Sequence, residues 1–192
     1  MDQFSDKPVP SHRYALFLAL AAGGCALDLL TKKWMFDWLR MPGESRGYWM
    51  KENVFGFQTS LNEGALFGLG QGGGTLFIVL SLFAVLAILY WLFYRRAAHD
   101  LLITISLGCV LGGTLGNLYD RMGMSGLVWN YANDLHSIGT PVYAVRDWIY
   151  FKLIEWPIFN IADSLLVCGA ALLVWHAYWY REPEVSGKRV PV

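Results

Sequence analysis

Charge is scarce in this 192-residue chain. Fifteen Lys and Arg and fifteen Asp and Glu make up 16% of it, where a soluble domain carries about a quarter. A water-facing surface needs more ionic groups than that, so lipid is the expected solvent for much of this one. The formal net charge is zero, and without a basic field no nucleic-acid partner is expected. Cysteine is sparse too. Cys25, Cys109 and Cys168 lie singly in apolar stretches, with no CxxC pair and no Cys/His cluster, so neither a metal centre nor a disulfide framework is indicated. They read as small buried hydrophobes, and no cofactor is expected. No internal repeat or heptad seam stands out, so a monomer is expected.

What the chain does have is apolar length. Four runs, approximately 14–31, 76–94, 101–118 and 158–180, each approach the ~20 residues a helix needs to cross a bilayer. Lipid offers the backbone no hydrogen bonds, so such runs must be helical. The expectation is an all-α membrane protein, a single domain over 1–192, with four spans, long loops at 32–75 and 119–157, and both termini on one side. Lys7, Arg13, Arg95, Arg96, Arg181, Lys188 and Arg189 crowd the tails and the short turn between the second and third runs. Dense Lys and Arg in short segments mark the cytoplasmic side, which leaves both long loops outside. Ala22-Gly23-Gly24-Cys25 has the look of a cleavable lipoprotein signal. Because the apolar run continues through Leu27–Leu30 and three more runs follow, an uncleaved span is the better reading.

The loops are not featureless. Trp34, Phe36, Trp38, Trp49, Phe55 and Phe57 give the first the aromatic content of a membrane interface. Its residues Val54–Leu61 alternate well enough for a short strand, suggesting a small sheet at the outer face. The second loop is amphipathic, with polar turns around 122–126 and 137–141 and aromatic stretches at 129–131 and 148–151. A loop that long is functional or disordered, and its apolar content argues against disorder.

Ionisable residues inside or at the ends of spans are costly and signal function. Asp28 and Lys32 share a helix face at i, i+4, the spacing of a self-neutralising ion pair. Asn117, Asp120 and Arg121 share a face at the end of the third run, where Arg121 has the planar fork to grip a carboxylate. Asn160 and Asp163 repeat the i, i+3 spacing after Pro157, where an Asp can equally be a helix cap. Asn62, in Ser60-Leu61-Asn62-Glu63-Gly64, reads equally well as a turn residue. No serine–histidine pairing stands out at these span ends. Paired carboxylates remain: two in contact share one proton, so one can act as base and the other as acid.

Four motifs then carry a resemblance over most of the chain: Asp28-Leu29-Leu30-Thr31-Lys32; Asn62-Glu63-Gly64-Ala65-Leu66-Phe67; Gly112-Gly113-Thr114-Leu115-Gly116-Asn117-Leu118-Tyr119-Asp120-Arg121; and Phe159-Asn160-Ile161-Ala162-Asp163-Ser164. With these the sequence resembles the lipoprotein signal peptidases (signal peptidase II), membrane-embedded aspartic proteases of bacteria. The resemblance implies removal of the signal peptide before a diacylglyceryl-modified cysteine of a prolipoprotein. It also implies an inner-membrane location, a small periplasmic β-cradle, an amphipathic periplasmic helix, and catalytic aspartates near the outer face. By motif, Asp163 is one aspartate. Asp28, Lys32, Asn62, Gly64, Asn117, Asp120, Arg121 and Asn160 would support the site or bind substrate alongside membrane lipid.

The second aspartate departs from the family spacing. Counting about ten residues beyond Arg121 reaches Asn130, which could not take a proton from water. Val145-Arg146-Asp147-Trp148-Ile149 fits the local pattern if the loop carries an insertion, which costs little closure entropy. Asp147 is therefore expected in that role, with Asn130 the competing alignment and Asp134 a third candidate. Leu66 replaces a usually small residue and would narrow the lipid-side pocket. The rival readings are a small four-span transporter or proton-relay subunit, whose acids belong at mid-membrane, and an inactive relative that binds lipopeptides without cutting them.

Overall fold

The computed structural model describes residues 8–45, 47–64 and 72–179; Leu66 and the polar tail from Arg181 lie outside them. Four helices long and apolar enough to cross a membrane make up the body: α1 (Ser11–Leu39), α2 (Gly74–Leu89, running on as a π-helix through Tyr94), α3 (Leu101–Arg121) and α4 (Ile161–Trp179). A small antiparallel sheet stands at one end, with β1 (Tyr48–Lys51), β2 (Phe55–Asn62) and β3 (Val145–Tyr150) in that order. Four helices with a small sheet is the fold expected from the chain's patterning. The amphipathic helix that the family resemblance implies is not found among the described residues. Between α3 and β3 the chain forms turns and an isolated bridge instead.

α3 is the central helix. Its most apolar window is 67% buried, against 17% for α1 and 11% each for α2 and α4. Small residues allow this: a Cβ on Gly113 would strike the Ala162 carbonyl of α4, and one on Gly116 would strike the Asp28 carboxylate of α1. The outer helices present Leu76, Val79, Phe83, Leu86, Val167 and Val174 openly, an apolar surface too extensive for water and suited to lipid. Away from the sheet, the helices close on Phe17, Ala21, Ile88, Leu92, Ala98, Leu107 and Leu111.

α1 continues well past its apolar run. The extra turns are amphipathic: Met35, Phe36 and Leu39 are buried, with Met35 and Leu39 packed on Trp148, while Lys33 and Asp37 pair at 2.9 Å on the exposed side. The helix therefore reaches out of the bundle and carries the sheet. β2 pairs with β3 as Ser60↔Asp147, Leu61↔Arg146 and Asn62↔Val145, with an irregularity before Phe57↔Ile149. Such bulges re-aim side chains locally. β3 is buried on both faces from Val145 to Trp148. It also holds the chain just before α4, because Trp148 and Ile149 donate to the Phe159 carbonyl at 3.0 and 2.8 Å.

Candidate active site

That clamp sets Asn160 beside Asp147. Asn160 Nδ2 donates to Asp147 Oδ1 at 2.6 Å, and the Asn62 side chain also bonds Asp147. Asn160 is simultaneously the N-cap of α4. Its Oδ1 accepts from Asp163 N at 2.9 Å, and its own N–H donates to Asp163 Oδ2 at 3.1 Å, a reciprocal capping box. The capping role open to Asp163 is thus real, yet its other oxygen accepts from Asn117 Nδ2 at 2.9 Å. One asparagine therefore ties together two aspartates, one thirteen residues before it and one three residues after.

The two carboxylates differ in surroundings. Asp147 is 2% exposed. Burial, and next the charge of Asp163, push its carboxyl well above the usual range. Asp163 is half-buried, accepts two hydrogen bonds and sits in the first turn of α4, where the helix dipole favours an anion.

Behind them lies a fully buried ionic cluster. Lys32 Nζ reaches Asp28 Oδ2 at 2.6 Å, Asp120 Oδ2 at 3.1 Å and Asn117 Oδ1 at 2.9 Å, using its three donors. Asp28 Oδ1 accepts from Ala162 N at 2.9 Å, so α1 also caps α4. Asp120 Oδ1 takes Arg146 Nε at 2.9 Å and Nη2 at 2.8 Å, and Oδ2 takes the Arg146 backbone N–H at 3.1 Å. Removing one member of such a set would leave a buried charge unpaired, so each of these residues holds the next in place.

The grip expected of Arg121 on a carboxylate belongs to Arg146 instead. Arg121 donates to the Gly64 carbonyl at 3.0 Å and lies 5.1 Å above the Phe77 ring. Its preference follows from position: on α3 it points toward the turn after β2, whose Gly64 N–H is fixed by Asn62 Oδ1 at 3.0 Å. Sequence reasoning passed over Arg146. The available signal was a cation flanked by Val145 and Trp148 in a largely apolar strand, which needs an acid partner. Asn130 does not join the cluster; it is exposed and bonds Glu44 at 2.8 Å. Asp134 is exposed on the same loop. Among the described residues no group of acids, His and Cys is arranged to hold a metal.

Fold and site together define a multi-helix membrane protein with an asparagine-bridged pair of aspartates, one buried and one half-buried, at one end of its bundle. The family model for signal peptidase (SPase) II matches residues 20–179, and the chain belongs to that family: it is a peptidase and a multi-pass protein of the bacterial inner membrane. It is 42% identical to a lipoprotein signal peptidase of Rhodopirellula baltica, across 95% of this chain and 83% of that one. It is 32% identical to one of Geobacillus thermodenitrificans, across 90% and 95%. A bacterial membrane enzyme solved at 2.3 Å shares the fold, with a TM-score of 0.67 over 88% of this chain and 93% of that one at 23% identity.

Proposed function

We propose that the chain is an aspartic endopeptidase that removes the signal peptide from diacylglyceryl-modified prolipoproteins, with Asp147 and Asp163 as the catalytic pair. The observation that carries this is the sharing of Asn160 by the two carboxylates, through its side-chain amide to Asp147 and its backbone N–H to Asp163, in unequal surroundings. Charge balance agrees with one proton held in the set. Lys32, Arg121 and Arg146 stand against Asp28, Asp120, Asp147 and Asp163, so three cations face four carboxyls and a single retained proton makes the cluster neutral. Asp147, buried and beside a second carboxyl, keeps that proton and serves as the acid; Asp163, half-buried and hydrogen-bonded, serves as the base.

Asp163 takes a proton from a water as the water's oxygen bonds to the scissile carbonyl carbon, and Asp147 gives its proton to the carbonyl oxygen. When the intermediate collapses, the carbonyl re-forms, its proton returns to Asp147, and Asp163 passes its own to the departing cysteine nitrogen. The products are a signal peptide ending in a carboxylate and a lipid-modified cysteine with a free amine. Asn62, Gly64, Asn117, Arg121 and Asn160 position the pair and the substrate; Asp28, Lys32, Asp120 and Arg146 hold the frame. With the termini cytoplasmic, the sheet and the pair lie at the outer face, level with a cysteine whose acyl chains remain in the bilayer. The whole cluster comes from one chain, so a monomer suffices.

The test is cleavage of a synthetic diacylated prolipoprotein by purified protein, reading released signal peptide. Wild type should cut. Asp163→Asn should lose about 10²–10⁴-fold in rate while remaining inserted and folded, and Asn130→Ala should cut normally. An active Asp163→Asn, or a folded but inactive Asn130→Ala, would reject the assignment.

A further inference from the structure

Residues 122–144, between α3 and β3, are a built structure. Trp129 N donates to the Thr140 carbonyl at 2.9 Å, Gly139 N to the Trp129 carbonyl at 2.8 Å and Val142 N to the Leu127 carbonyl at 3.0 Å. Asn133 Oδ1 accepts from the Leu135 and His136 amides at 2.8 and 3.0 Å. Trp129, Val142 and Ala144 bury themselves against Met41, Leu61 and Leu127, which fixes the loop to the sheet.

On this frame His136 lies flat on Trp129, ring centroids 3.5 Å apart and planes within 6°. Both His136 ring nitrogens are shielded from solvent and have no hydrogen-bond partner among the described residues. The His136 side chain lines a cavity of about 740 Å3 together with Glu63, Arg121, Trp129, Thr140 and Tyr143. Arg121 also belongs to the site around Asp147 and Asp163, so cavity and site are contiguous.

We propose that this cavity binds the polypeptide immediately downstream of the modified cysteine, the first residues of the mature lipoprotein. The proposal rests on the peptidase reading of Asp147 and Asp163. A chain leaving the scissile bond on that side must head from the bilayer into water, and the cavity is walled by loop residues and by the ends of two spans, the start of α2 and Arg121 at the end of α3. The stacked His136 and Trp129 rings and the Tyr143 ring supply flat walls against which an extended chain can lie. The volume falls within the ~300–1,000 Å3 of clefts that enclose small ligands, room for a short extended peptide. An anionic lipid headgroup fits less well, because Arg121 is engaged with Gly64 and Phe77 while Glu63 contributes a negative charge. By that same charge Glu63 should disfavour an acidic residue in the first positions after the cysteine.

The experiment compares diacylated substrates that end at the modified cysteine with ones extended by several residues carrying Gln, Lys or Asp next to it. Wild type should cut extended neutral substrate with the higher kcat/KM. His136→Ala, which removes the ring wall but keeps the backbone bond to Asn133, should lower the extended-to-short ratio about fivefold, mainly through KM. Glu63→Gln should reduce the discrimination against Asp relative to Lys. If extension gives wild type no advantage, or if both variants leave their ratios unchanged, the subsite is disproved. If wild type cuts neither substrate, or Asp163→Asn cuts both, the catalytic reading fails first and the subsite with it. Those outcomes are distinct from a wild type that cuts short and extended substrates alike.

Discussion

The same four helices enclose two different interiors. Away from the sheet, Phe17, Leu92, Ala98, Leu107 and Leu111 pack without a charge among them. At the sheet end, Asp28, Lys32, Asp120, Arg146 and Asp147 are buried together with Asn117 and Asn160. An apolar interior gains from burial in any close-packed arrangement of about the right volume. The polar interior is favourable only in one arrangement, since every donor must meet its acceptor. The first kind of packing holds helices together; the second fixes two carboxyls relative to each other and to the helix that carries one of them.

The largest expected effect comes from turning the polar end apolar in charge while keeping its shape. Asp147→Asn should lower the rate of prolipoprotein cleavage by about 10²–10⁴-fold, yet it should not destabilise. Burial first, and the charge of Asp163 second, raise the Asp147 carboxyl above its ordinary range. A raised folded-state value means that its contribution to folding is complete below the unfolded value of about 3.9 and is lost as pH climbs through the raised one. The Tm of Asp147→Asn should therefore gain on wild type as pH rises through that interval. A constant offset across it would mean that Asp147 is not held neutral by the fold. Cleavage by wild type should fall over the same rise, as the acid loses its proton.

Next comes the cation beneath the pair. Lys32→Met leaves Asp28 and Asp120 buried without their shared partner, a change that typically costs about 3–5 kcal/mol. Unfolding in detergent should show the loss, and adding Asp28→Asn should recover part of it. If Lys32→Met were as stable as wild type, the ionic cluster would not be what holds α1, α3 and α4 in register.

How much of this was legible beforehand follows from whether the relevant contact is local. Asp28 with Lys32, and Asn160 with Asp163, are one helical turn apart, so spacing alone exposes them. Asp120 with Arg146 is separated by 26 residues, and nothing in the periodicity of either segment announces it. β3 was hidden for a related reason: with Val145, Arg146, Asp147 and Trp148 all buried, both its faces are covered and the alternation that betrays a strand is missing. The outer turns of α1 were hidden because hydropathy measures the thickness of lipid, whereas Met35 and Leu39 continue the helix by packing on Trp148. Distance in sequence between Arg121 and Asp147 proved a poor guide, since the intervening loop folds on its own hydrogen bonds and returns the chain beside α3.

The apolar end should answer differently. Leu92 is wholly buried, and Leu92→Ala should cost about 2–5 kcal/mol through lost contacts and the cavity left behind. Its cleavage rate per folded molecule should stay that of wild type, measured alongside unfolding in the same detergent. A change in kcat with little loss of stability would show that the two interiors are coupled along α3, and the division between them would have to be abandoned.

The smallest effect belongs to an ionic contact at that end. Asp100 caps α3 by accepting from Ile103 N at 3.0 Å and meets His176 of α4 at 2.9 Å. Burial raises its carboxyl, but the Ile103 hydrogen bond and His176 outweigh that and hold it below the usual range. A depressed value contributes stability above the unfolded pKa of about 3.9 and loses it as pH falls through the folded one. Asp100→Ala should accordingly cost about 0.5–2 kcal/mol, toward the lower figure because the carboxylate is 35% exposed and screened. The deficit should shrink as the pH falls below the carboxylate range, and prolipoprotein cleavage at neutral pH should be untouched. Ionic contacts at the two ends would then differ in kind: a charge at the apolar end trims the stability of one helix terminus, whereas a charge at the sheet end decides how the paired carboxyls are held relative to each other.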